Sequence, residues 1–234
     1  MELFLTAARA EEAAAAEPSQ LEKIFGKFAE FPLWAWIVVA VLLIGGLIAW
    51  KVLKPAKAKT VWSVKMLALG AICIALSNVL SMIKLFSMPS GGSVTLASML
   101  PIMLFAYVYG AGPGVLVGAL YGTMHFILKP WFLSVPQVIL EYPIAFGLIG
   151  LAGLFHKDSN TVRGLTLGVI VGCLGRYLAA VLAGVVFWAD AANGNPWLYS
   201  LGYNGGYMGV ECVICIVVTL LIGPRLVKEL QKQK

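Results

Sequence analysis

The chain has 234 residues, of which 60% are hydrophobic and only 12% charged; its mean hydropathy is +0.89 and its formal net charge +6. Soluble domains carry about a quarter charged residues, so an ordinary soluble domain is excluded and an all-α integral membrane protein is predicted. The positive charge falls at the ends of apolar segments and not on one solvated face, which excludes nucleic acid as a partner and leaves the lipid bilayer.

Residues 1–33 form an acidic arm with six acids (Glu2, Glu11, Glu12, Glu17, Glu22, Glu30) and three bases. The arm lacks the basic start and cleavage site of a signal peptide and is predicted to end in a short amphipathic helix. A transmembrane helix is predicted over 34–53, its apolar run at 34–52, followed by a basic cytoplasmic linker at 54–61. Six further apolar segments lie within 62–223, at 62–83, 95–110, 111–128, 137–155, 164–189 and 198–222; a basic cytoplasmic tail, 224–234, closes the chain. Most of these segments reach the roughly 20 residues that span hydrocarbon. Those at 95–110 and 111–128 are short and joined by "GAGPG", which predicts a tight helical hairpin.

Orientation follows from lysine and arginine. Lys51, Lys54, Lys57, Lys59, Lys65, Lys157, Arg163, Arg225, Lys228, Lys232 and Lys234 fall on one side. Taking that side as cytoplasmic puts the N-terminus outside, with Arg9, Lys23, Lys27, Lys84 and Lys129, and the C-terminus inside. Arg176 lies within a span. A plasma-membrane protein with several spans is the expectation.

Small residues mark packing faces. Gly110, Gly114, Gly118 and Gly122 recur every four residues and predict a smooth strip for close helix contact inside the fold. Ala71 and Ala75 form a second such pair, read either as internal packing or as a docking face for another membrane protein. Cys73, Cys173, Cys212 and Cys215 all lie in spans. The CxxC at 212–215 has no second pair and no nearby histidine, so apolar packing is expected and not a metal or redox site. The sequence has no Walker loop: "FGKF" at 25–28 lacks the first glycine and the Ser/Thr. It also has no HExxH and no GxSxG motif, so no enzyme activity and no bound cofactor is expected. Uphill movement of a solute would then draw on an ion gradient or on partner ATPases. Of the two histidines, His125 can line a site near the outer end of its span, and His156 is expected to be solvated.

Three charges stand inside spans: Glu141, Arg176 and Glu211. Each costs a few kcal/mol unless it faces protein or water, so each is a candidate for function; a structural Glu141–Arg176 pair stapling two helices is the alternative. Gln137 and Glu141 share a helix face one turn into their span. Ser200, Asn204, Tyr207 and Glu211 form one polar stripe at i, i+4, i+7 and i+11, flanked by Tyr199 and Tyr203. Glu211 is expected to lie deeper than any pocket and to bond a neighbouring helix. Trp131, Tyr142, Phe187, Trp188, Trp197, Tyr199 and Tyr203 cluster at the outer level, where belt residues also occur. Arg176 lies about 18 Å below Trp188. A carboxylate, an arginine, an amide and several rings at one mouth suit a flat, partly cationic, nitrogen-rich ligand taken from outside. Loop 84–94, "KLFSMPSGGSV", is predicted to close over it as a lid. Two other readings stay open: a membrane enzyme with Glu141 or Glu211 as base, and a scaffold with no ligand.

From about Lys65 onward the chain resembles the thiamine-specific substrate-binding subunit (S-component) of energy-coupling factor transporters. The resemblance is carried by "SMPSGGSVTLASMLPIMLF", "QVILEYPIAF", "GRYLAAVLAGVVFW" and "WLYSLGYNGGYM", in family order over about 170 residues. It implies a six-helix S-component bundle, here with one extra N-terminal transmembrane helix. It also implies thiamine as ligand near the outer surface, and as partners a transmembrane coupling subunit and two cytoplasmic ATPases that use the ATP. By that resemblance Glu141 is the carboxylate that binds the pyrimidine and Tyr142 its neighbour. Arg176 is the basic residue of the fifth family helix. Gly184 and the stacking Trp188 follow it, and Tyr199, Ser200 and Asn204 come from the last helix. Trp131 stands where some members have tyrosine. Ala71 and Ala75 match the face that docks on the coupling subunit. Ala180 replaces a histidine and Leu96 a glutamate of some members, both near the thiazolium. A thiamine analogue or pyrimidine precursor is therefore an alternative ligand, and a self-sufficient secondary vitamin transporter an alternative mechanism.

Overall fold

The computed structural model describes residues 62–89, 91–156, 158, 160–188 and 194–232. The arm, extra span and linker expected over 1–61 lie outside the described residues. Ser63 opens the first helix, α1 (Val64–Met82), by accepting the Met66 N–H at 3.2 Å. One face of α1, with Met66, Gly70, Cys73 and Ser77, is buried; the other presents Leu67, Ala71, Ile72, Ala75, Leu76 and Val79 outward. The small-residue pair Ala71/Ala75 is therefore exposed among the described residues.

The segment expected as a loop at 84–94 is instead an antiparallel hairpin, β1 (Lys84–Ser87) with β2 (Ser93–Thr95), paired Phe86 to Val94 and Ser87 to Ser93. Met88 N–H donates to Gly92 O at 2.6 Å at its tip. At a membrane face, backbone groups that pair with each other avoid an unsatisfied polar cost, and the hairpin meets that demand locally.

Helix α2 (Leu100–Tyr109) is buried along nearly its whole length and forms the centre of the bundle, with Ile102, Met103 and Phe105 almost inaccessible. Gly110, at φ 95°, turns the chain directly into α3 (Ala111–Leu128), so the tight hairpin expected here is present. The glycine strip of α3 is an internal face, as expected. A Cβ on Gly114 would meet Ala106 and Gly150, on Gly118 the Phe146 carbonyl, and on Gly122 the Tyr142 carbonyl. Backbones approach this closely only where side chains are missing.

The partner of that strip is α4 (Val135–Phe155), a helical span that changes pitch along its length. It opens with α geometry at Val135–Ile139, passes through a π turn at Leu140–Ile144, and narrows to a 3₁₀ stretch at Ile149–Phe155. Pro143 sits inside the π turn; a proline has no N–H for the α ladder, and a wider turn accommodates that loss. Helix α5 (Thr161–Phe187) is capped by Asn160, whose Oδ1 accepts the Arg163 N–H at 3.1 Å. Helix α6 runs without a break from Pro196 to Lys232, 37 residues. At 1.5 Å per residue that is about 55 Å, well beyond the roughly 30 Å of hydrocarbon. It thus outruns the span expected to end at 222.

Five of these six helices are long and apolar enough to cross a membrane; the buried α2 is the short one. The described residues form a six-helix membrane bundle to which the two-stranded hairpin is added.

Candidate ligand-binding site

A cavity of about 740 Å³ opens between the hairpin, the π turn of α4, the end of α5 and the start of α6. All nine residues that the resemblance assigns to the binding site border it: Glu141 and Tyr142 from α4, Arg176, Gly184 and Trp188 from α5 and its end, Tyr199, Ser200 and Asn204 from α6, and Trp131 from the α3–α4 connection; Gln137, Phe187 and Trp197 do not.

Glu141 lies in the π turn, two residues before Pro143. One carboxylate oxygen accepts from Gln137 Nε2, and the other accepts from Trp188 Nε1 at 3.1 Å. Gln137 is itself fully buried. It receives the Leu133 N–H at 3.1 Å and donates to the Trp131 carbonyl at 3.2 Å. The i, i+4 relation read from the sequence is therefore a hydrogen-bonded pair, and it ties the carboxylate to the loop bearing Trp131. The rings of Trp131 and Trp188 face each other at the mouth, centroids 6.3 Å apart and inclined by 42°. Tyr142 accepts the Trp131 N–H at 3.2 Å.

Arg176 does not staple Glu141. Its guanidinium carbon sits 4.1 Å above the centroid of the Phe146 ring, a cation–π arrangement, and among the described residues the two charges form no ion pair. Gln137 and Trp188 hold the carboxylate instead, and the guanidinium rests on the Phe146 ring.

On α6, Ser200 Oγ donates to the Val181 carbonyl at 2.8 Å, and Asn204 Nδ2 donates to Ser200 O at 3.0 Å. Asn204 Oδ1 accepts from Tyr207 Oη at 3.0 Å. A Cβ on Gly184 would overlap the Ser200 hydroxyl, so the glycine sets how near α5 and α6 approach. Tyr199 stacks on Tyr203, centroids 5.9 Å apart.

Glu211 departs from expectation. It is not below the pocket: it borders the same cavity, and its partner is Thr95, the last residue of β2, not a neighbouring helix. Thr95 N and Thr95 Oγ1 each lie 2.5 Å from its carboxylate oxygens. His125 also borders the cavity, with its ring 5.3 Å from that of Phe146. His156 is half-buried, its Nδ1 2.9 Å from the Gly153 carbonyl.

Several bordering residues escaped the sequence reading: Tyr121, Phe146, Thr95, Ser98, Lys84 and Lys129. Tyr121 and His125 stand at i, i+4 on one helix face, and that spacing was the available signal. Thr95 and Ser98 carried none, because only the hairpin brings them to the cavity. Of the two positions that depart from the resemblance, Ala180 borders the cavity, whereas Leu96 is exposed and does not.

The protein family described as thiamine transporter protein (Thia_YuaJ) matches residues 67–231. The chain belongs to the thiamine transporter family. Thiamine transporter ThiT of Bacillus subtilis (strain 168) is 36% identical over 176 residues, covering 68% of this chain and 91% of the relative. Thiamine transporter ThiT of Lacticaseibacillus paracasei (strain ATCC 334) is 38% identical over 147 residues, covering 55% of this chain and 73% of the relative. Among solved structures, ThiT from Listeria monocytogenes superposes with a TM-score of 0.60 at 30% identity, covering 72% of this chain and 96% of that one. The S component of a bacterial ECF transporter superposes with a TM-score of 0.51 at 18% identity, covering 71% and 98%, a likeness of fold. The thiamine transporter match starts at Leu67 and takes in all six described helices. As a member of that family with several apolar helices, the chain is a multi-pass membrane protein.

Proposed function

We propose that this chain is the S-component of an energy-coupling factor importer, which captures thiamine from outside in the cavity at Glu141. The observation that carries the reading is the Glu141 carboxylate, held by Gln137 and Trp188 in the wall of a cavity whose mouth is framed by two indoles. A carboxylate accepts hydrogen bonds from the ring amino group of an aminopyrimidine, and such charge-assisted bonds are the strong ones. Indole faces stack on flat heterocycles and attract a thiazolium cation. Arg176, Tyr142, Gly184, Tyr199, Ser200 and Asn204 complete the binding wall.

The N-terminus lies outside and the C-terminus in the cytoplasm, in keeping with the distribution of lysine and arginine. Ala71 and Ala75, exposed on α1 among Leu67, Ile72 and Val79, form the face that meets the transmembrane coupling subunit, where small residues permit close helix approach. Two partner ATPases use the ATP; this chain has no Walker loop of its own. The hairpin at 84–95 serves as the lid over bound ligand.

The test is a titration of the purified full chain in detergent, read by quenching of tryptophan fluorescence, with thiamine, its phosphates and the hydroxymethylpyrimidine precursor as separate arms. Thiamine is expected to bind with submicromolar affinity. Weaker thiamine binding, together with tighter binding of the precursor or of another vitamin, overturns the ligand and leaves the fold untouched.

A further inference from the structure

The turn that joins the hairpin to α2 has an unusual conformation and a costly attachment. Ala97 takes φ 53°, in the left-handed region, the one non-glycine residue to do so among the described residues, and it is buried. Alanine resists that region because Cβ crowds the following carbonyl, so the surroundings must over-determine the turn. Two residues before it, Thr95 presents both its N–H and its hydroxyl to Glu211, each at 2.5 Å. One residue after it, Ser98 Oγ lies 2.7 Å from Thr95 Oγ1 and 3.4 Å from the same carboxylate. Thr95, Ser98 and Glu211 are all buried, in a segment where a carboxylate is expensive.

The far end of the hairpin touches the same helix. Gly92 N–H donates to Tyr203 Oη at 3.2 Å, and a Cβ on Gly92 would press on the Tyr207 ring. The hairpin is therefore fastened to α6 at two heights, eight residues apart on that helix, and α6 also carries Ser200 and Asn204 on the cavity wall. Of the two fastenings, the one at Glu211 uses a carboxylate and engages both of its oxygens.

We propose that Glu211 is a positioning residue: it latches the Thr95–Ser98 turn to α6, and so sets how long the hairpin stays closed over ligand. The proposal rests on the thiamine-binding reading above for its ligand but not for its geometry. A carboxylate accepts from Thr95 N–H and Thr95 O–H together; an amide of the same shape keeps an acceptor for the N–H but offers a donor to the hydroxyl, which must turn from donor to acceptor and loses its charge-assisted bond. Glu211 makes this contact from the helix that bears Ser200 and Asn204, so ligand seated against α6 and the lid above it share one support.

The experiment compares the full chain with Glu211→Gln, Thr95→Val and Thr95→Ser in detergent. Dissociation of thiamine is followed by stopped-flow recovery of tryptophan fluorescence, and hydrogen exchange of residues 84–98 is followed without ligand. Glu211→Gln and Thr95→Val are expected to speed dissociation by about tenfold or more, with association little changed, and to raise exchange in 84–98 while α2 stays protected. Thr95→Ser, which keeps the hydroxyl, is expected to behave as wild type. Dissociation rates unchanged in both Glu211→Gln and Thr95→Val overturn the proposal. So does exchange that rises equally in α2, which marks a merely structural role. If the wild-type chain binds no thiamine, the ligand reading fails, and the exchange comparison alone decides the latch.

Discussion

Trp188 donates its indole N–H to Glu141 at 3.1 Å and so joins the C-terminal end of α5 to the π turn of α4. The carboxylate is held by an indole and an amide, and no cation is paired with it among the described residues. That arrangement makes the site sensitive to changes that leave its shape alone.

Glu141→Gln preserves volume but replaces an acceptor oxygen with a donor that faces either Gln137 or Trp188. Thiamine affinity is expected to fall by about 1.5–3 kcal/mol, the range for a hydrogen bond to a charged group. The thermal stability of the ligand-free protein is expected to change much less, since a desolvated charge is removed at the same time. Fluorescence titration and a thermal melt in detergent measure the two effects separately.

Trp188→Phe keeps a ring at the mouth and deletes the N–H. The expected loss of affinity is about 1 kcal/mol, whereas Trp188→Ala, which also removes the stacking surface, is expected to cost about 2–4 kcal/mol. Equal losses in the two variants would show that the hydrogen bond to Glu141, and not the ring face, is what Trp188 contributes. Isothermal titration avoids the altered tryptophan signal.

Gly184→Ala places a methyl group against the Ser200 hydroxyl. Overpacking of this kind is expected to destabilise the fold by about 1–3 kcal/mol. Ser200→Ala in the same chain is expected to restore part of that loss, giving a non-additive double-mutant cycle. Unfolding in detergent supplies the four stabilities, and strict additivity would mean that α5 and α6 separate freely to admit the methyl.

Ala71→Phe and Ala75→Phe add bulk to an exposed face remote from the cavity. Thiamine binding in detergent is expected to stay within about twofold of wild type, as for surface changes worth under 0.5 kcal/mol. Uptake by cells carrying the partner subunits is expected to be lost. Preserved uptake in both variants would place the coupling-subunit contact elsewhere.

Much of this site was legible in the sequence because membrane helices write burial into composition. An apolar span makes every polar residue conspicuous, so Glu141, Arg176, Asn204 and Glu211 stood out, and i, i+4 spacing correctly put Gln137 beside Glu141. The glycine strip of α3 was equally clear, since four glycines at one spacing mark one helix face. The hairpin was not legible: "KLFSMPSGGSV" lacks the regular alternation of a strand pair, and its pairing is set by the need to satisfy backbone groups at the mouth of the bundle. The π turn was likewise hidden, because Pro143 reveals that the helix is disturbed but not how the disturbance is absorbed.

By itself the sequence determined that the protein lies in a membrane, how many apolar helices it has after residue 62, and which polar side chains must find partners there. Hydropathy and periodicity are properties of short stretches, so they survive without knowledge of packing. Only the tertiary structure decided which partners those side chains find. Glu141 meets Trp188, 47 residues away, and Glu211 meets Thr95, 116 residues away. A one-dimensional pattern pairs the nearest opposite charges and so suggests Glu141 with Arg176. Helix packing instead brings an indole and an amide to Glu141, a phenyl ring under Arg176, and the backbone of a hairpin to Glu211. Those contacts depend on how closely glycine-lined backbones approach, and that is fixed only when the whole bundle is assembled.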